Sequence, residues 1–199
     1  MGDAEGMDHR QNAIRLYTSQ ASAVCDAIRR DGVCFSREEY VRRKYGESAP
    51  VFLTAYRWYA QEAARIVPPP AGAEFPYWAF ADPRGVAQND EGCTLTLDVP
   101  TREAVFFDMY DWYRVLQMKY MGEDECDERA FARELSLCGL RESDVMLTAF
   151  YPELKRKIID SWKKLFRWHE QIASGDFTCI GAVQAGLWRI DRRWIAAGL

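Results

Sequence analysis

Residues 93–116 read CTLTLDVPTREAVFFDMYDWYRVL and contain the pattern that decides the fold class. Apolar and polar residues alternate along Cys93–Val99, which is typical of a strand with one buried face. A short turn leads to a second strand, Ala104–Phe107, and Asp108 is suited to cap a helix expected to run to about Tyr120. Two strands joined by a short turn usually pair antiparallel, so the sequence predicts an antiparallel or mixed sheet.

Strand and helix signals continue on both sides of this stretch. Ser19 and Ser36 are suited to cap two short helices, the second through a capping box with Glu39. Gly32 fits the end of the first helix, and Pro50 fits the first turn of a longer one. Further strands are predicted at 13–18, 33–35, 75–80 and 179–190, and a long amphipathic helix is predicted at 152–169.

Length and composition agree with a folded domain. The chain has 199 residues, of which 48% are hydrophobic, a fraction that excludes a disordered chain. The order of elements predicts a single α+β domain over residues 13–199, with the sheet at its centre and helices around it. Residues 1–12 are polar and are expected to form a flexible tail.

Charge and hydropathy narrow the classes of partner. The net charge of −4 gives no basic excess, so only the basic segment Lys155–Arg167 leaves nucleic acid open as a partner. No apolar run approaches the roughly 20 residues that span a bilayer, and the N-terminus lacks a secretory signal. These features predict a cytoplasmic protein without a membrane partner. The six cysteines include no CxxC pair and are expected to be free thiols.

Candidate catalytic and metal-binding residues are scarce. The only histidines are His9 and His169, which disfavours zinc sites and histidine-activated nucleophiles. His169 falls in a segment rich in lysine and arginine, where a solvated surface position is expected. The acidic run at 123–128 lacks the spacing of a calcium loop and is expected to be a solvated loop, so no metal is predicted.

Aromatic residues are the most promising candidates for ligand contact. Core packing is the simplest interpretation of each tryptophan. However, an aromatic-lined groove could also hold a flat ligand such as a nucleobase or nicotinamide. Trp58, Trp78, Trp112 and Trp188 lie close in sequence to candidate polar residues, whereas Trp162, Trp168 and Trp194 are interpreted as packing residues.

Several separate motifs give the chain a family resemblance. They are LYTSQ, AYRWYAQEAARI, FPYWAF, LTLDVP followed by DMYDWYRVL, SWKKLF and VQAGLW. Together they resemble an uncharacterised bacterial and phage domain-of-unknown-function family, and the resemblance extends from Ile14 to Ile195. No function is established for that family.

The order of elements is also similar to compact ADP-ribosyltransferases that modify DNA or RNA. LYTSQ, CDAIRRDG and VCFS occupy the places of the first strand, helix and turn of that fold, and Leu97–Asp108 resembles its later strand and acidic position. The resemblance implies an NAD site in which Thr18 and Arg15 lie on the first strand, near Gln20. It further implies Tyr56, Trp78, Trp112 and Asp108 as binding residues.

The main difference from the ADP-ribosyltransferase pattern lies in the segment that resembles its last strand. Gln184 stands where the family has a catalytic glutamate, which stabilises an oxocarbenium-like ribose as nicotinamide leaves. An amide can hold a ribose hydroxyl but has no negative charge for this task. The resemblance therefore implies that Gln184 only orients the ligand, or that activity is lost or altered. Alternatively, Gln184 satisfies buried backbone groups.

Two functions from different classes fit the sequence. The first is an ADP-ribosyltransferase-like domain that binds NAD or a related nucleotide, with transfer of ADP-ribose to a macromolecule as the reaction to test. It requires Thr18, Tyr56 and Gln184 to converge on one cleft between two sheets. The alternative is a non-catalytic protein-binding factor of phage or mobile-element origin that docks on a host protein.

Overall fold

A computed structural model describes residues 13–87 and 92–199. The strands are β1 (Ala13–Ala21), β2 (Val33–Phe35), β3 (Tyr77–Phe80), β4 (Gly92–Pro100), β5 (Ala104–Asp108), β6 (Val183–Leu187), β7 (Arg189–Asp191) and β8 (Ile195–Ala197). The helices are α1 (Ser22–Asp31), α2 (Glu38–Tyr45), α3 (Ala49–Ala63), α4 (Met109–Leu116), α5 (Glu125–Leu137), α6 (Glu142–Leu147), α7 (Pro152–Ser161) and α8 (His169–Ala173). The predicted α+β class is confirmed.

Six strands form the main sheet in the order β5-β6-β3-β1-β4-β8, and all their pairings are antiparallel. A separate ribbon pairs β2 with β7. Strand β1 pairs with β4 along its whole length, from Ala13 to Ala21, but with β3 only at Tyr17, opposite Phe80. The sheet is therefore weakly joined between β1 and β3.

Each face of the sheet is buried against its own set of helices. On one face, Trp78 and Phe107 pack in a cluster with residues of α3, α4 and α7. On the other face, Leu16, Leu97 and Phe106 pack with residues of α1 and α8. The period-2 alternation of the strands explains why neighbouring residues enter different clusters.

Several predicted boundaries are confirmed. Gly32 ends α1 with a positive φ of 78° and donates its N–H to the Ile28 carbonyl. Pro50 lies in the first turn of α3, and the Asp108 carboxylate accepts a hydrogen bond from the Tyr110 N–H as the cap of α4.

Other predicted boundaries are wrong. Ser19 does not cap a helix, because pairing with β4 extends β1 to Ala21. The capping box of Ser36 and Glu39 is absent: Ser36 forms a β-bridge with Phe75, and α2 begins at Glu38. Tertiary pairing overrides the local cap signal at both serines.

Four segment predictions also need correction. Helix α4 ends at Leu116 rather than near Tyr120, and Met118 takes a positive φ. The predicted acidic loop contains the start of α5, whose cap is Asp124. The amphipathic segment 152–169 changes from α-helix to 3-10 helix at Trp162, and the predicted strand at 179–190 divides into β6 and β7.

The expectation that all six cysteines are free thiols is wrong for two of them. Cys25 of α1 and Cys93 of β4 form a disulfide, whereas Cys34, Cys126, Cys138 and Cys179 are free. The paired residues are 68 positions apart, so no local spacing could reveal them.

Some predictions fall outside the described residues, namely the tail at 1–12 with His9, and Asp90 in the loop after β3. Within 13–87 and 92–199, no helix is long and apolar enough to cross a membrane.

Candidate functional site: a cleft between strands β1 and β3

A cleft of about 710 Å³ opens where β1 and β3 stop pairing. Residues of α1, α2, α3 and α4 complete its walls, so the cleft lies between the sheet and the helices of both faces. Six of the eight predicted binding residues line it: Thr18, Gln20, Tyr56, Trp78, Trp112 and Gln184. Thr18, Tyr56 and Gln184 therefore converge on one cleft, as the first hypothesis requires, but the strands at its opening, β1 and β3, belong to one sheet and not to two.

Thr18 ties the two separating strands together. Its hydroxyl donates a hydrogen bond to the Trp78 carbonyl at 2.7 Å, and it accepts one from Gln20 Nε2 at 2.7 Å. A side-chain bond thus replaces the backbone ladder between β1 and β3. Because Thr18 is 1% exposed and its hydroxyl both donates and accepts within the protein, we assign it to positioning the wall of the cleft.

Aromatic rings form a second wall. Trp78 Nε1 donates to the Tyr56 hydroxyl at 2.9 Å, and the Trp78 and Trp112 rings lie 4.9 Å apart between centroids. Tyr56 meets both indoles edge-on, an arrangement favoured by the quadrupoles of the rings. Burial, reinforced by the neighbouring Tyr45, raises the pKa of Tyr56 well above its usual value, so the phenol stays neutral.

Two buried polar atoms of the cleft lack partners. Gln184 of β6 is 4% exposed, lies opposite Phe80 and Phe107 in the ladder, and has no hydrogen-bond partner for Oε1. The hydroxyl of Ser19 on β1 is also buried without a partner. A buried polar group left unpaired costs about 1–3 kcal/mol. Among the described residues, the third such atom, Arg189 Nε, is not in the cleft lining.

The mouth of the cleft has positive charge. Arg43 and Lys44 of α2 line it, and no aspartate or glutamate does so within the described part of the chain. Neither cation is among the ion-paired residues of that part. The tyrosines Tyr40 and Tyr113, exposed by 43% and 45%, stand on opposite walls. This composition suits an anionic ligand with a flat aromatic group.

Two predicted residues lie elsewhere. Arg15 points away from the cleft lining and forms an exposed bidentate pair with Asp98, at 2.9 and 3.0 Å. Asp108 caps α4 and also accepts a hydrogen bond from the Gly181 N–H at 2.8 Å. The carboxylates of Asp98 and Asp108 and the guanidinium of Arg15 all have hydrogen-bond partners within the protein. The structure therefore gives neither Arg15 nor Asp108 a place in the cleft.

The remaining tryptophans are packing residues. Trp58 meets Trp162 edge-on and stacks with Phe166, and Trp188 donates Nε1 to the Val67 carbonyl at 2.7 Å. Neither lines the cleft. The expectation that Trp58 and Trp188 accompany the polar candidates is not met.

Sequence reasoning missed the contribution of α2. Tyr40, Arg43 and Lys44 follow the i, i+3, i+4 spacing that places side chains on one helix face. That spacing was a usable signal, but only the three-dimensional position of α2 shows that this face borders the cleft. Ser19 was missed because its position was interpreted as a helix cap.

His169 has a structural role rather than the expected solvated position. The half-buried imidazole accepts a hydrogen bond through Nδ1 from the Phe106 N–H at 3.1 Å. Phe106 lies on β5, the outer strand of the sheet, so His169 occupies a donor that the ladder leaves open. Burial lowers the pKa of His169, which keeps the accepting nitrogen unprotonated.

The basic segment 155–167 is largely neutralised by the protein itself. Its partners are Glu153 for Arg156, Glu134 for Lys157, Asp160 for Lys163, Glu123 for Lys164, Asp111 for Arg167, and the Thr148 carbonyl for Lys155. These pairs leave little uncompensated charge for a phosphate backbone. Among the described residues, no cluster of three or more histidine, cysteine or acidic side chains is arranged to hold a metal.

Comparison with known proteins gives one match. The model of a family described as "Domain of unknown function (DUF3841)" matches residues 15–196. No curated protein and no solved structure matches the chain. The predicted membership of an uncharacterised family is confirmed, whereas the ADP-ribosyltransferase resemblance has no support from these comparisons and stays a prediction.

Proposed function

We propose that this chain, which belongs to the domain-of-unknown-function family DUF3841, binds a nucleotide in the cleft between β1 and β3, with NAD as the first ligand to test. The observation that carries the proposal is the unpartnered Oε1 of Gln184, buried in an aromatic cleft that has cations at its mouth. A buried acceptor without a partner is rare in native proteins. A ligand that donates a hydrogen bond would remove its energetic cost.

The parts of a nucleotide match the parts of the cleft. A base or nicotinamide ring fits against the half-buried rings of Trp78 and Phe80, which flank Gln184 on the neighbouring strand. Stacking on aromatic side chains contributes about 1–3 kcal/mol per base. The phosphates fit Arg43 and Lys44, whose charges are uncompensated by acidic lining residues within the described chain.

Transfer of ADP-ribose is the finer part of the proposal. The reaction breaks the bond between nicotinamide and ribose through a positively charged, oxocarbenium-like ribose. Gln184 cannot neutralise that charge, and the described lining residues include no carboxylate. We therefore assign Gln184 to orienting the ligand, and we expect any transfer activity to depend on orientation more than on charge stabilisation.

Calorimetry tests the binding step. The full chain is titrated with NAD up to millimolar concentration, alongside Gln184→Ala and the control Arg15→Ala, which removes an exposed ion pair outside the cleft. Saturable binding that is lost in Gln184→Ala and kept in Arg15→Ala supports the proposal. Absence of NAD binding to the wild-type chain would reject NAD as the ligand.

A separate assay tests the transfer step. The protein is incubated with NAD labelled in its adenylate part together with a cell lysate. Label appearing on protein or nucleic acid, and absent with Gln184→Ala, supports transfer. Saturable NAD binding without labelled product would leave a binding protein and reject the transferase function.

A second candidate function is docking on a partner protein. The observation that favours it is the exposure of two large apolar side chains outside the cleft lining: Leu137 is 90% exposed and Phe150 is 82% exposed. Contiguous exposed apolar surface is typical of interfaces, whereas single exposed apolar residues are common on any surface, so these two side chains are the ones to test. Recovery of one stoichiometric partner that is lost with Leu137→Ser and Phe150→Ser, and that is independent of nucleotide, would support docking.

A further inference from the structure

The side-chain amide of Gln184 is free at both ends. No described residue donates to or accepts from it, and Oε1 is fully shielded from solvent. The side chain leaves the sheet on the same face as Phe80 and Phe107, its direct neighbours across the two ladders. A terminal amide offers one acceptor and one donor side by side. Gln184 lines the cleft next to Phe80, so its amide lies within the wall against which a flat group would stack.

We propose that Gln184 recognises the edge of a ring that presents an N–H donor next to an acceptor. This inference rests on the proposed nucleotide function and names the chemistry of the group that enters. Glutamine pairs in this two-point manner with the N6 and N7 atoms of adenine. The carboxamide of nicotinamide presents the same donor and acceptor. The shared requirement is an exocyclic –NH₂ beside a lone pair.

The other polar groups of the cleft are poorly suited to distinguish an edge with an –NH₂ group from an edge with an oxygen. The Thr18 hydroxyl is bonded to the Trp78 carbonyl and to Nε2 of Gln20, so of the two glutamines in the described lining only Gln184 has both amide atoms without a partner. The Ser19 hydroxyl is free, but it can rotate to donate or to accept, so it tolerates either kind of edge. We assign the cationic Arg43 and Lys44 to the phosphates. Discrimination between edges therefore depends on Gln184.

Pairs of ligands that differ only at this edge provide the test. Adenosine monophosphate (AMP) carries an amino group where inosine monophosphate (IMP) carries an oxygen. Nicotinamide mononucleotide carries an amide where nicotinic acid mononucleotide carries a carboxylate. Each ligand is titrated into the full-length wild-type chain by calorimetry. We expect the amino or amide member of at least one pair to bind roughly tenfold or more tightly, and the pair that shows the difference identifies adenine or nicotinamide as the source.

Two variants separate recognition from general affinity. Gln184→Met keeps the length of the side chain and removes both polar atoms, so the two members of the discriminating pair should bind equally. Ser19→Ala on β1 is the matched control, since it removes the other unpartnered buried oxygen of the cleft, and it should weaken both members while keeping their ratio. The melting temperature of each variant is measured first. If Gln184→Met does not fold, the wild-type ratios alone still decide.

The outcomes distinguish this inference from the function on which it rests. Equal binding of both members in both pairs by the wild-type chain overturns recognition by Gln184 and leaves nucleotide binding in place. Persistence of the preference in folded Gln184→Met also overturns it. Failure of all four ligands, and of NAD, overturns the nucleotide function itself.

Discussion

Tyr17 of β1 lies opposite Phe80 of β3, and this is the single register pair between the two strands within the described residues. On its other edge, β1 is paired with β4 from Ala13 to Ala21. The cleft lies where the two strands diverge, because both β1 beyond Tyr17 and β3 before Phe80 continue without further pairing to each other. Thr18, Ser19 and Gln20 on that extension therefore become lining residues instead of interior strand positions.

Replacing Gln184 by leucine should separate stability from binding. The variant removes a buried acceptor that has no partner in the protein, so we expect the free protein to gain about 1–3 kcal/mol of unfolding free energy. Nucleotide binding should weaken in the same variant, and the preference between the two members of the discriminating pair should be lost, as in Gln184→Met. Chemical denaturation and calorimetry measure the two effects. A large loss of stability would show that the Gln184 amide is satisfied within the folded protein.

Replacing Gly186 by alanine should destabilise the junction of β6 with α3. A methyl group at this position would overlap the Tyr59 hydroxyl, which is fully buried and lies near the Val105 carbonyl. Overpacking of this kind costs about 1–3 kcal/mol. Adding Tyr59→Phe removes the overlapping oxygen and should recover part of the loss, as measured by urea denaturation. Equal stability of wild type and Gly186→Ala would contradict the packing described here.

Acidification should weaken the fold through His169. Burial depresses the pKa of this imidazole in the folded state below its ordinary 6.5. The unfolded chain therefore binds more protons between the two pKa values. The contribution of the neutral His169 to the free energy of unfolding is complete above pH 6.5 and is lost as the pH falls through the folded-state pKa. The free energy of unfolding then falls by up to about 1.4 kcal/mol per pH unit.

The contribution of His169 can be isolated with a substitution. His169→Asn removes the titrating group and keeps a short acceptor for the Phe106 N–H. The difference in unfolding free energy between this variant and wild type should change between pH 7 and 5, and denaturation at both pH values measures it. If the difference in unfolding free energy does not depend on pH, the titration of His169 does not contribute to stability between pH 7 and 5.

Neutralising the mouth of the cleft should weaken binding of phosphorylated ligands selectively. Arg43→Ala with Lys44→Ala should reduce the affinity for AMP several-fold and leave the affinity for adenosine nearly unchanged, because only the phosphate faces these charges. Arg42→Ala is the control, since Arg42 is paired with Glu38 and does not line the cleft. An equal loss for AMP and adenosine would place the phosphate elsewhere.

The sequence predicts the elements better than their boundaries. The alternation in β4 and the Asp108 cap are local signals, and both are found as predicted. Ser19 shows why other boundaries fail. A serine before an apolar helical pattern is a cap by local rules, but nine register pairs with β4 keep it in a strand. Pairing over a long sequence separation is not visible in a local window.

The residues of the candidate site were likewise partly predictable from the sequence, whereas their arrangement was not. Trp78 and Trp112 could be selected from the sequence because aromatic rings can line a groove for a flat ligand, and Gln184 because the resemblance places it where the family has a catalytic glutamate. Arg15 and Asp108 were selected by similarity of order alone, and their ion pair and cap bonds occupy them elsewhere. The shared cleft itself depends on where β3 diverges from β1, which requires the three-dimensional register.

A crystal structure of the chain with NAD at saturating concentration tests the central claim most directly. The account predicts electron density for the ligand between β1 and β3, with an N–H of its ring within hydrogen-bonding distance of Gln184 Oε1 and its phosphates beside Arg43 and Lys44. NAD bound at another surface, or a cleft that stays empty at a concentration that saturates the protein, would contradict it.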